Sequence, residues 1–185
     1  MKCSVYIATS ADGFIARPDG DISWLVRPEY REASDIGLVY ETFVATVDAI
    51  VMGRHTYEKV ITFDEWYYEG LEVVVLSSSG ELNVPDSLRG KVRQLSGSPE
   101  EILDVLTKEG KRHLYIDGGV TIQRFLERGL IDELIITTIP ILLGDGIPLF
   151  RPGSREQPLE LLAVDSSETG PVQVRYRVIT SEDEV

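Results

Sequence analysis

The sequence predicts an α/β fold of three layers, with helices on both sides of a mixed, mostly parallel sheet of about eight strands. Eight short apolar runs recur along the chain, and several are nearly continuous, as strands buried on both faces are. Helical patterns separate most of these runs, and such alternation favours a parallel sheet covered on both sides. The last two runs are joined only by "SSETGP", which is typical of a hairpin, so we expect the sheet to end antiparallel.

The predicted strands are short and mostly rich in valine and isoleucine, which suit a pleated, buried surface. In chain order they are residues 3–9, 48–53, 72–77, 91–96, 113–117, 133–140, 159–167 and 172–179.

Helical patterns occupy four of the intervals between these strands. Residues 99–109 have the clearest start, because Ser98 suits the N-cap, Pro99 the first helical position, and Glu101 completes a capping box. The other predicted helices are residues 29–46, with apolar positions at Ile36, Val39, Tyr40, Phe43 and Val47, the stretch "RHTYEKV" from residue 54, and residues 119–128, with Ile122, Phe125 and Leu126.

Length and charge limit the functional classes. A chain of 185 residues can bury one sizeable core, so we expect a single domain over residues 1–180, followed by a disordered acidic tail, "SEDEV", at 181–185. The net charge is −13 and no dense run of Lys or Arg occurs, which argues against nucleic acid and against anionic membrane surfaces as partners. The acidity itself is typical of a solvated surface.

Cysteine and histidine content points away from disulfides and metals. Cys3 is the one cysteine, so no internal disulfide can form, and in an apolar strand it is expected to be a small core residue. Together with Cys3, His55 and His113 give no metal-ligand spacing, and we expect no metal. The sequence shows no secretory leader and no apolar run of membrane length, so we expect a cytoplasmic protein.

Three predicted strands are followed by residues suited to binding anions. "GRHT" (53–56) and "DGG" (117–119) each lead from a strand into a helix, whose first N–H groups favour negative charge, and "SSSG" (77–80) supplies hydroxyl donors. Ligands of open α/β sheets bind at the carboxyl ends of strands. Each signal has a structural alternative: a simple turn, a solvated serine loop, or an arginine that extends into water. Their combination predicts a pocket for a phosphorylated, nucleotide-like molecule.

The glycine pair in "YIDGGVTIQRFL" (115–126) poses a specific question, because glycine weakens both a strand and a helix by roughly 0.5–1 kcal/mol relative to alanine. Either a tight turn or a ligand lying directly on the backbone would explain it. The standard dinucleotide fingerprint is absent, since "GDGIPL" (144–149) has Pro148 and no helix after it.

Five segments in order resemble the dihydrofolate reductase superfamily, and more closely the branch similar to the reductase C-terminal domain of the bacterial riboflavin deaminase–reductase. They are "IATSADGFIA" (7–16), "AIVMGRHTYE" (49–58), "VVLSSS" (74–79), "YIDGGVTIQRFL" (115–126) and "DELIITTIPILLGDGIPLF" (132–150). The resemblance covers nearly the whole chain and implies a dihydrofolate reductase-like fold and a reductase that uses NADPH.

Carried over position by position, the resemblance implies a cofactor site and a substrate site. The cofactor residues are Gly53, Arg54, His55 and Thr56 at the phosphate turn, Leu76, Ser77 and Ser78 at the adenosine ribose phosphate, Gly118, Gly119, Val120, Thr121 and Ile122 along the pyrophosphate and nicotinamide, and Ala8 and Ile15 at the nicotinamide amide. On the substrate side, Trp24 matches an aromatic residue and Thr138 a hydroxyl, although Thr138 could equally be an ordinary alternating strand residue.

The chain departs from the family pattern at three positions. The carboxylate that secures the pterin in folate reductases falls at Gly37, with Asp35 two residues away and Glu41 one helical turn further on. Val120 replaces an arginine that contacts phosphate. Phe14 stands where riboflavin-pathway reductases usually carry a basic residue, which puts a ribose-phosphate substrate in doubt.

The expected reaction is hydride transfer from NADPH to a small heterocyclic or carbonyl substrate. Such a substrate would be pterin- or pyrimidine-like, and 5-amino-6-(5-phosphoribosylamino)uracil is one candidate of this type. Asp35, Asp12 or ordered water could supply the proton. The alternatives are a non-catalytic nucleotide-binding or regulatory module, or a surface for association. We expect a homodimer, because the apolar segment 139–150 would need cover as an exposed edge.

Overall fold

The computed structural model describes residues 1–30, 36–63, 65–153 and 156–179. Its strands, in chain order, are β1 (Lys2–Ser10), β2 (Phe14–Ala16), β3 (Ala49–Gly53), β4 (Glu72–Leu76), β5 (Val92–Leu95), β6 (His113–Asp117), β7 (Glu133–Ile139), β8 (Ile147–Pro148), β9 (Leu159–Ser166) and β10 (Val172–Val178). Its α-helices are α1 (Tyr40–Val44), α2 (Arg54–Val60), α3 (Pro99–Lys108) and α4 (Gly119–Glu127). Short 3-10 turns cover Ser23–Val26 and Asp86–Leu88.

Eight strands form one sheet in the order β5-β4-β3-β6-β1-β7-β10-β9. The first six run parallel, and β10 then pairs antiparallel with both β7 and β9. The predicted fold class, a mixed and mostly parallel sheet with an antiparallel C-terminal hairpin, is therefore confirmed. In the described part of the chain, no helix is long and apolar enough to cross a membrane.

The sheet separates two apolar clusters. On one face, Ile102 and Leu106 of α3 and Ile122 and Phe125 of α4 pack against the central strands. On the other face, Phe43 of α1 and residues of α2 pack against the same strands. Alternate residues of each strand contribute to the two clusters, so both faces of the central strands are buried, as their nearly continuous apolar runs indicate.

The start of α3 matches its sequence signature. Glu101 donates its backbone N–H to the Ser98 hydroxyl at 3.2 Å, and the Glu101 carboxylate accepts the Ser98 N–H at 2.8 Å. These reciprocal bonds satisfy two backbone donors that the helix itself cannot use.

The predicted helix over residues 29–46 is wrong in its extent among the described residues. The α-helix there covers only Tyr40–Val44, and its N-cap residue, Val39, is extended. Two tertiary features explain the late start. Gly37 adopts a left-handed conformation with φ at +60°, and the Gln173 side chain accepts the Leu38 N–H at 2.7 Å, which holds that segment against β10.

A second, two-stranded sheet was not predicted. It pairs β2 with β8 and brings "GFIA" against "GDGIP". Gly146 makes the approach possible, because a Cβ there would lie 2.3 Å from the Ala16 carbonyl oxygen. Within the segment 139–150, residues Ile147–Pro148 are thus not a free edge, since they pair with β2 as β8. The acidic stretch 181–185 lies outside the described residues.

Candidate active site at the carboxyl ends of three parallel strands

Strands β4, β3 and β6 are neighbours in the sheet and run parallel, so their carboxyl ends share one edge. The structure therefore brings together the three segments that the sequence singled out: "SSSG" after β4, "GRHT" after β3 and "DGG" at the end of β6.

Arg54 links two of these segments. Its Nε donates to the Ser77 hydroxyl at 2.8 Å, and its terminal nitrogen donates to the carbonyl oxygens of Ser79 and Gly80, the latter at 3.0 Å. Only 21% of the Arg54 side chain is exposed. The guanidinium is thus fixed beside the serine hydroxyls, with the exposed Ser78 in the same turn. A fixed cation with adjacent hydroxyl donors suits a phosphate group.

The helices α2 and α4 begin side by side. A Cβ on Gly53 would lie 3.1 Å from the Thr121 hydroxyl, and a Cβ on Gly118 would lie 2.2 Å from the Thr56 hydroxyl. Each helix start therefore packs against the first turn of the other. Since the first backbone N–H groups of a helix have no partner within it, two adjacent starts concentrate donors at this edge.

The two glycines of "DGG" are under different constraints. Gly118 has φ at +85° and leaves no room for a side chain against Thr56, so packing of the chain alone requires glycine there. At Gly119 the nearest obstacle to a Cβ is the flexible end of Ile15, at 2.9 Å. Because that side chain could shift, the chain itself does not explain Gly119, which leaves room for the ligand interpretation.

The remaining residues of the predicted cofactor site differ in accessibility. The His55 side chain is 98% exposed and lies 3.6 Å from the Glu58 carboxylate. Leu76, Ala8 and Ile15 are half-buried near the same edge, and Val120 is exposed at the start of α4. Thr121 and Ile122 are buried, and Ile122 donates its N–H to the Gly118 carbonyl, so their side chains support the helix start from within the protein.

Asp117, the last residue of β6, is the acidic group that sequence reasoning missed. Its side chain retains some solvent contact, but protein surrounds most of it, and this burial raises the pKa of its carboxyl. Hydrogen bonds from the Gly118 N–H at 2.8 Å and the Tyr68 hydroxyl at 3.3 Å offset only part of the effect. Among the described residues, neither a lysine nor an arginine contributes to this shift.

The sequence did contain one indication that Asp117 is functional: it is an acid at the end of a buried strand, directly before the glycine pair. Its significance depends on tyrosines from distant parts of the chain. Tyr68 bonds it, and the charge of Asp117 in turn raises the pKa values of Tyr40 and Tyr115, after the larger effect of burial. A carboxyl held in such surroundings keeps its proton up to a higher pH than a solvated aspartate does.

Aromatic rings border Asp117 on the α1 side of the sheet. Tyr40 makes edge contacts with Tyr6 at 5.5 Å and Tyr115 at 6.5 Å between ring centroids, and Trp66 makes one with Tyr68 at 5.3 Å. Tyr6, Tyr40 and Trp66 are only half-buried. The acid thus lies among flat, partly accessible apolar surfaces, which favour a planar substrate.

The two predicted proton donors have other surroundings. Asp12 accepts hydrogen bonds from the Ser10 hydroxyl and from the N–H groups of Leu143 and Gly144, at 3.1 and 2.7 Å for the latter two. These bonds, that of Ser10 foremost, lower the pKa of Asp12, so it is charged at neutral pH and anchors the loop after β7. Asp35 lies outside the described residues.

Gly37, the position matched to the folate-binding carboxylate, lies against β10. A Cβ there would be 2.4 Å from Gln173 Oε1 and 2.8 Å from Asp165 Oδ2. Gln173 is buried and also donates to the Thr137 hydroxyl at 3.3 Å. The chain's own amide thus occupies this region, and no carboxylate could be placed at residue 37 without displacing it.

Thr138 and Trp24, the predicted substrate contacts, are not grouped with Asp117 by the contacts of the described residues. Thr138 lines a groove on the α4 side of the sheet, while its neighbour Thr137 points to the α1 side through Gln173. Trp24 lies fully buried in the 3-10 turn, and its indole N–H has no hydrogen-bond partner among the described residues. Both assignments stay predictions.

Metal ligands are not grouped in this region. Across residues 1–30, 36–63, 65–153 and 156–179, no cluster of three or more His, Cys, Asp or Glu side chains could hold a metal ion.

Comparison with known proteins agrees with this architecture. The chain is 36% identical over 163 residues to the uncharacterized protein YwjB of Bacillus subtilis, covering 86% of this chain and 88% of that one. A crystal structure of a protein from Shewanella sp. PV-4 assigned to riboflavin biosynthesis superposes with a TM-score of 0.86 at 36% identity, covering 97% of this chain and 100% of that one. Dihydrofolate reductase from Enterococcus faecalis, in complex with NADP(H), has the same fold, with a TM-score of 0.66 at 16% identity and 97% coverage of both chains.

The resemblance found in the sequence motifs is thereby confirmed at the level of the family and of a reductase-type fold. The family model of the RibD C-terminal domain matches residues 2–174, nearly the whole chain, and the chain belongs to this family.

Proposed function

We propose that this protein is an NADPH-dependent reductase that transfers a hydride to a small, planar heterocycle or conjugated carbonyl compound, with Asp117 as the proton donor. One observation carries the proposal. A carboxyl group with a raised pKa adjoins the glycine pair, on the edge where the anion-friendly ends of β3, β4 and β6 meet.

The residues of this edge fit NADPH. Arg54 and the hydroxyls of Ser77 and Ser78 would hold the 2′-phosphate of the adenosine ribose, because they combine a fixed cation with adjacent donors. The starts of α2 and α4 would hold the pyrophosphate through backbone N–H groups. Gly119 supports this fit, since the chain itself does not require glycine at that position.

The reduced nicotinamide, when bound, supplies the hydride, which adds to carbon in a C=N or C=O bond of the substrate. In our proposal the Asp117 carboxyl gives its proton to the nitrogen or oxygen of that bond. The substrate gains two electrons and two hydrogens, NADPH becomes NADP⁺, and Asp117 regains a proton from solvent. Burial keeps Asp117 protonated up to a higher pH than a solvated aspartate, which suits this role.

The surroundings of Asp117 favour an uncharged aromatic substrate. The partly accessible rings of Tyr6, Tyr40 and Trp66 offer stacking surfaces, and no lysine or arginine in the part of the chain that the structure describes acts on Asp117. A ribose phosphate would require a cation, and Phe14 occupies the position where riboflavin-pathway reductases usually carry one. We therefore favour a pyrimidine- or pterin-like ring without a phosphate group over the 5-amino-6-(5-phosphoribosylamino)uracil type.

Folate itself should be a poor substrate, because Gln173 fills the region matched to the folate carboxylate. Without that charge-assisted bond, a protonated pterin loses roughly 1.5–3 kcal/mol of interaction.

The direct test measures substrate-dependent oxidation of NADPH at 340 nm with a panel of pterins, pyrimidines and quinones. Turnover of at least one uncharged ring compound supports the proposal. Saturable NADPH binding without turnover on the whole panel would favour the non-catalytic nucleotide-binding module, and absence of binding at millimolar NADPH would reject both.

Arg54→Ala tests the cofactor orientation. Loss of one or two charge-assisted bonds, at roughly 1.5–3 kcal/mol each, should weaken NADPH binding about ten- to a hundredfold and leave NADH binding nearly unchanged, because NADH lacks the 2′-phosphate. Both dissociation constants can be measured by titration of nicotinamide fluorescence. Arg89→Ala, which removes an exposed arginine paired with Asp86, is the matched control. Equal weakening of both cofactors would instead assign Arg54 to the pyrophosphate or to the fold.

We further propose that the protein acts as a cytoplasmic homodimer on a small molecule, without nucleic acid or a membrane as partner. The net charge of −13 argues against nucleic acid and anionic membranes, and the exposed apolar side chains of Leu161 and Val164 on β9 support a homodimer.

A further inference from the structure

The side chain of Gln123 joins α4 to the segment 147–149, which contains β8. Gln123 is buried, and its Nε2 donates to the carbonyl oxygens of Pro148 and Leu149, at 2.9 and 3.0 Å. Its Oε1 is also buried and has no hydrogen-bond partner among the described residues. A buried polar atom without a partner costs free energy. The two carbonyl groups of the segment therefore decide the orientation of this amide, even though its acceptor is left unsatisfied.

The other side of the segment 147–149 is bonded to the chain that follows β1. There β8 pairs with β2, and Leu149 donates its N–H to the Gly13 carbonyl at 3.0 Å. Through Pro148 and Leu149, Gln123 thus ties the small sheet of β2 and β8 to α4. Hydrogen bonds have a preferred direction, whereas the apolar packing of Ile15 and Leu149 in the α3–α4 cluster has none. The amide can therefore fix the position of the small sheet more closely than packing alone.

The small sheet forms the wall that faces Gly119. A Cβ at that glycine would lie 2.9 Å from Ile15 Cδ1 of β2, and 3.5 and 3.6 Å from Pro148 and Ile147 of β8. Gln123 follows Gly119 by four positions in α4, so the two residues lie on the same face of the helix, about one turn apart. The bonds of Gln123 and the wall opposite Gly119 therefore involve the same helix face and the same strand.

We propose that Gln123 is a positioning residue for hydride transfer, because its amide sets the spacing between Gly119 and the small sheet where the nicotinamide would bind. The proposal rests on the function proposed above, in which Gly119 lies along the cofactor and Ile15 lies beside the nicotinamide amide. Gln123 acts there through Pro148 and Leu149. Hydride transfer is sensitive to such spacing, since a misplacement of about 1 Å can lower a rate by roughly 10²-fold.

Gln94 of β5 makes a comparable pair of bonds at the other end of the proposed cofactor site. Its Nε2 donates to the carbonyl oxygens of Ser77 and Gly80, both at 3.0 Å. Arg54 donates to the same serine turn. Gln94 is therefore a matched comparison for Gln123, because each glutamine donates to two carbonyl groups of one loop, but at opposite ends of the cofactor.

Gln123→Met tests the proposal, with Gln94→Met as the comparison. Methionine is unbranched and apolar, so it fills a similar space but removes both donors. Titration calorimetry should show NADPH binding to Gln123→Met weakened roughly two- to tenfold, as for the loss of one net hydrogen bond. Adenosine 2′,5′-bisphosphate, which carries the 2′-phosphate but no nicotinamide, should bind as tightly as to the wild type. Gln94→Met should weaken both ligands, because it acts at the end that they share.

Two further measurements separate spacing from affinity. At saturating NADPH and with a substrate that turns over, the single-turnover rate of Gln123→Met should fall roughly ten- to a hundredfold. Without any ligand, the amides of residues 13–16 and 147–149 should exchange hydrogen faster in Gln123→Met than in the wild type or in Gln94→Met. Gln123→Leu serves as the second variant if Gln123→Met does not fold.

Equal weakening of NADPH and adenosine 2′,5′-bisphosphate in Gln123→Met would overturn the proposal, because it would indicate a general effect on the fold. Unchanged NADPH binding together with unchanged hydrogen exchange would overturn it as well. If Arg54→Ala still discriminates between NADPH and NADH, either result removes the role of Gln123 and leaves the proposed function intact. Absence of NADPH binding to the wild type would reject the proposed function and this inference together.

Discussion

Glu133 and Asp117 lie at opposite ends of the sheet. Both carboxyl groups are largely shielded from water, but folding lowers the pKa of Glu133 and raises that of Asp117. Glu133, at the start of β7, accepts from Lys2 at 2.6 Å and from Arg175 at 3.0 Å. Burial alone would raise the pKa of Glu133, but these bonds outweigh it and lower the pKa. Asp117, at the end of β6, has no cationic partner within residues 1–30, 36–63, 65–153 and 156–179, and burial raises its pKa.

The difference separates a structural acid from a functional one. A buried charge that is fully paired fixes local geometry, whereas a carboxyl left without a cation is costly to ionise and therefore retains its proton. Such an unbalanced group at a ligand-binding edge is a candidate for catalysis. Three substitutions test this division.

The largest expected effect is on turnover in Asp117→Asn. The amide keeps the shape of the side chain but cannot give up a proton, so kcat should fall roughly 10²- to 10⁴-fold. NADPH binding should persist, because Arg54 and the helix starts are unchanged. Single-turnover NADPH oxidation and fluorescence titration measure the two separately. Retained turnover would show that another group supplies the proton.

Glu133→Gln should lower stability rather than activity. The change leaves Lys2 and Arg175 without their shared carboxylate, and since both cations keep solvent contact, the cost is expected at about 2 kcal/mol. Urea denaturation measures the free energy of unfolding, and kcat of the folded variant should match the wild type. A large loss of kcat without a loss of stability would contradict the structural role.

The pH dependence of stability should differ in sign between the two sites. The Glu133 pKa is lowered on folding, so its contribution is present above the unfolded pKa and is lost as the pH falls through the folded value. Glu133→Gln should then be less stable than the wild type at pH 7, and the difference should vanish as the pH falls below the folded pKa of Glu133.

Asp117 follows the opposite rule, because its pKa is raised on folding. Its contribution is complete below the unfolded pKa and is lost as the pH rises through the folded value. Asp117→Asn should therefore be more stable than the wild type at pH 8, with the difference vanishing at acidic pH. Thermal melts of the wild type and the two variants across this pH range measure both trends. If both variants showed the same trend with pH, the opposite treatment of the two acids would be contradicted.

Tyr68→Phe should produce the smallest effect. Its hydroxyl bonds Asp117 Oδ2 and lowers the pKa of that carboxyl, so its removal should raise the pKa further. The falling limb of the pH profile of kcat should then shift to higher pH, with little change in the plateau. Tyr67→Phe, at an exposed neighbouring ring, is the control.

The contrast between the two acids also marks how far prediction from sequence extends. The motif "GRHT" and the serine turn were predicted to share an edge with the glycine pair, and the strand order places them there. Local chemistry suffices for this, because strand ends and helix starts depend on neighbouring residues. Asp117 lies within the "DGG" motif, but its role could not be predicted, since its raised pKa results from burial in the folded protein, which its sequence neighbours do not reveal.

The strands of the main sheet, the capping box at Ser98, the antiparallel end and the family could all be predicted from the sequence, because periodicity and capping are local properties of the chain. The short α1, the separate constraints on Gly118 and Gly119, the burial of Asp117 and the exposure of Leu161 could not. Each of these depends on what long-range packing places beside a residue. Gln173 beside Leu38 holds the segment before α1 out of the helix, Thr56 beside Gly118 excludes a side chain, and no described element covers Leu161, which stays 57% exposed.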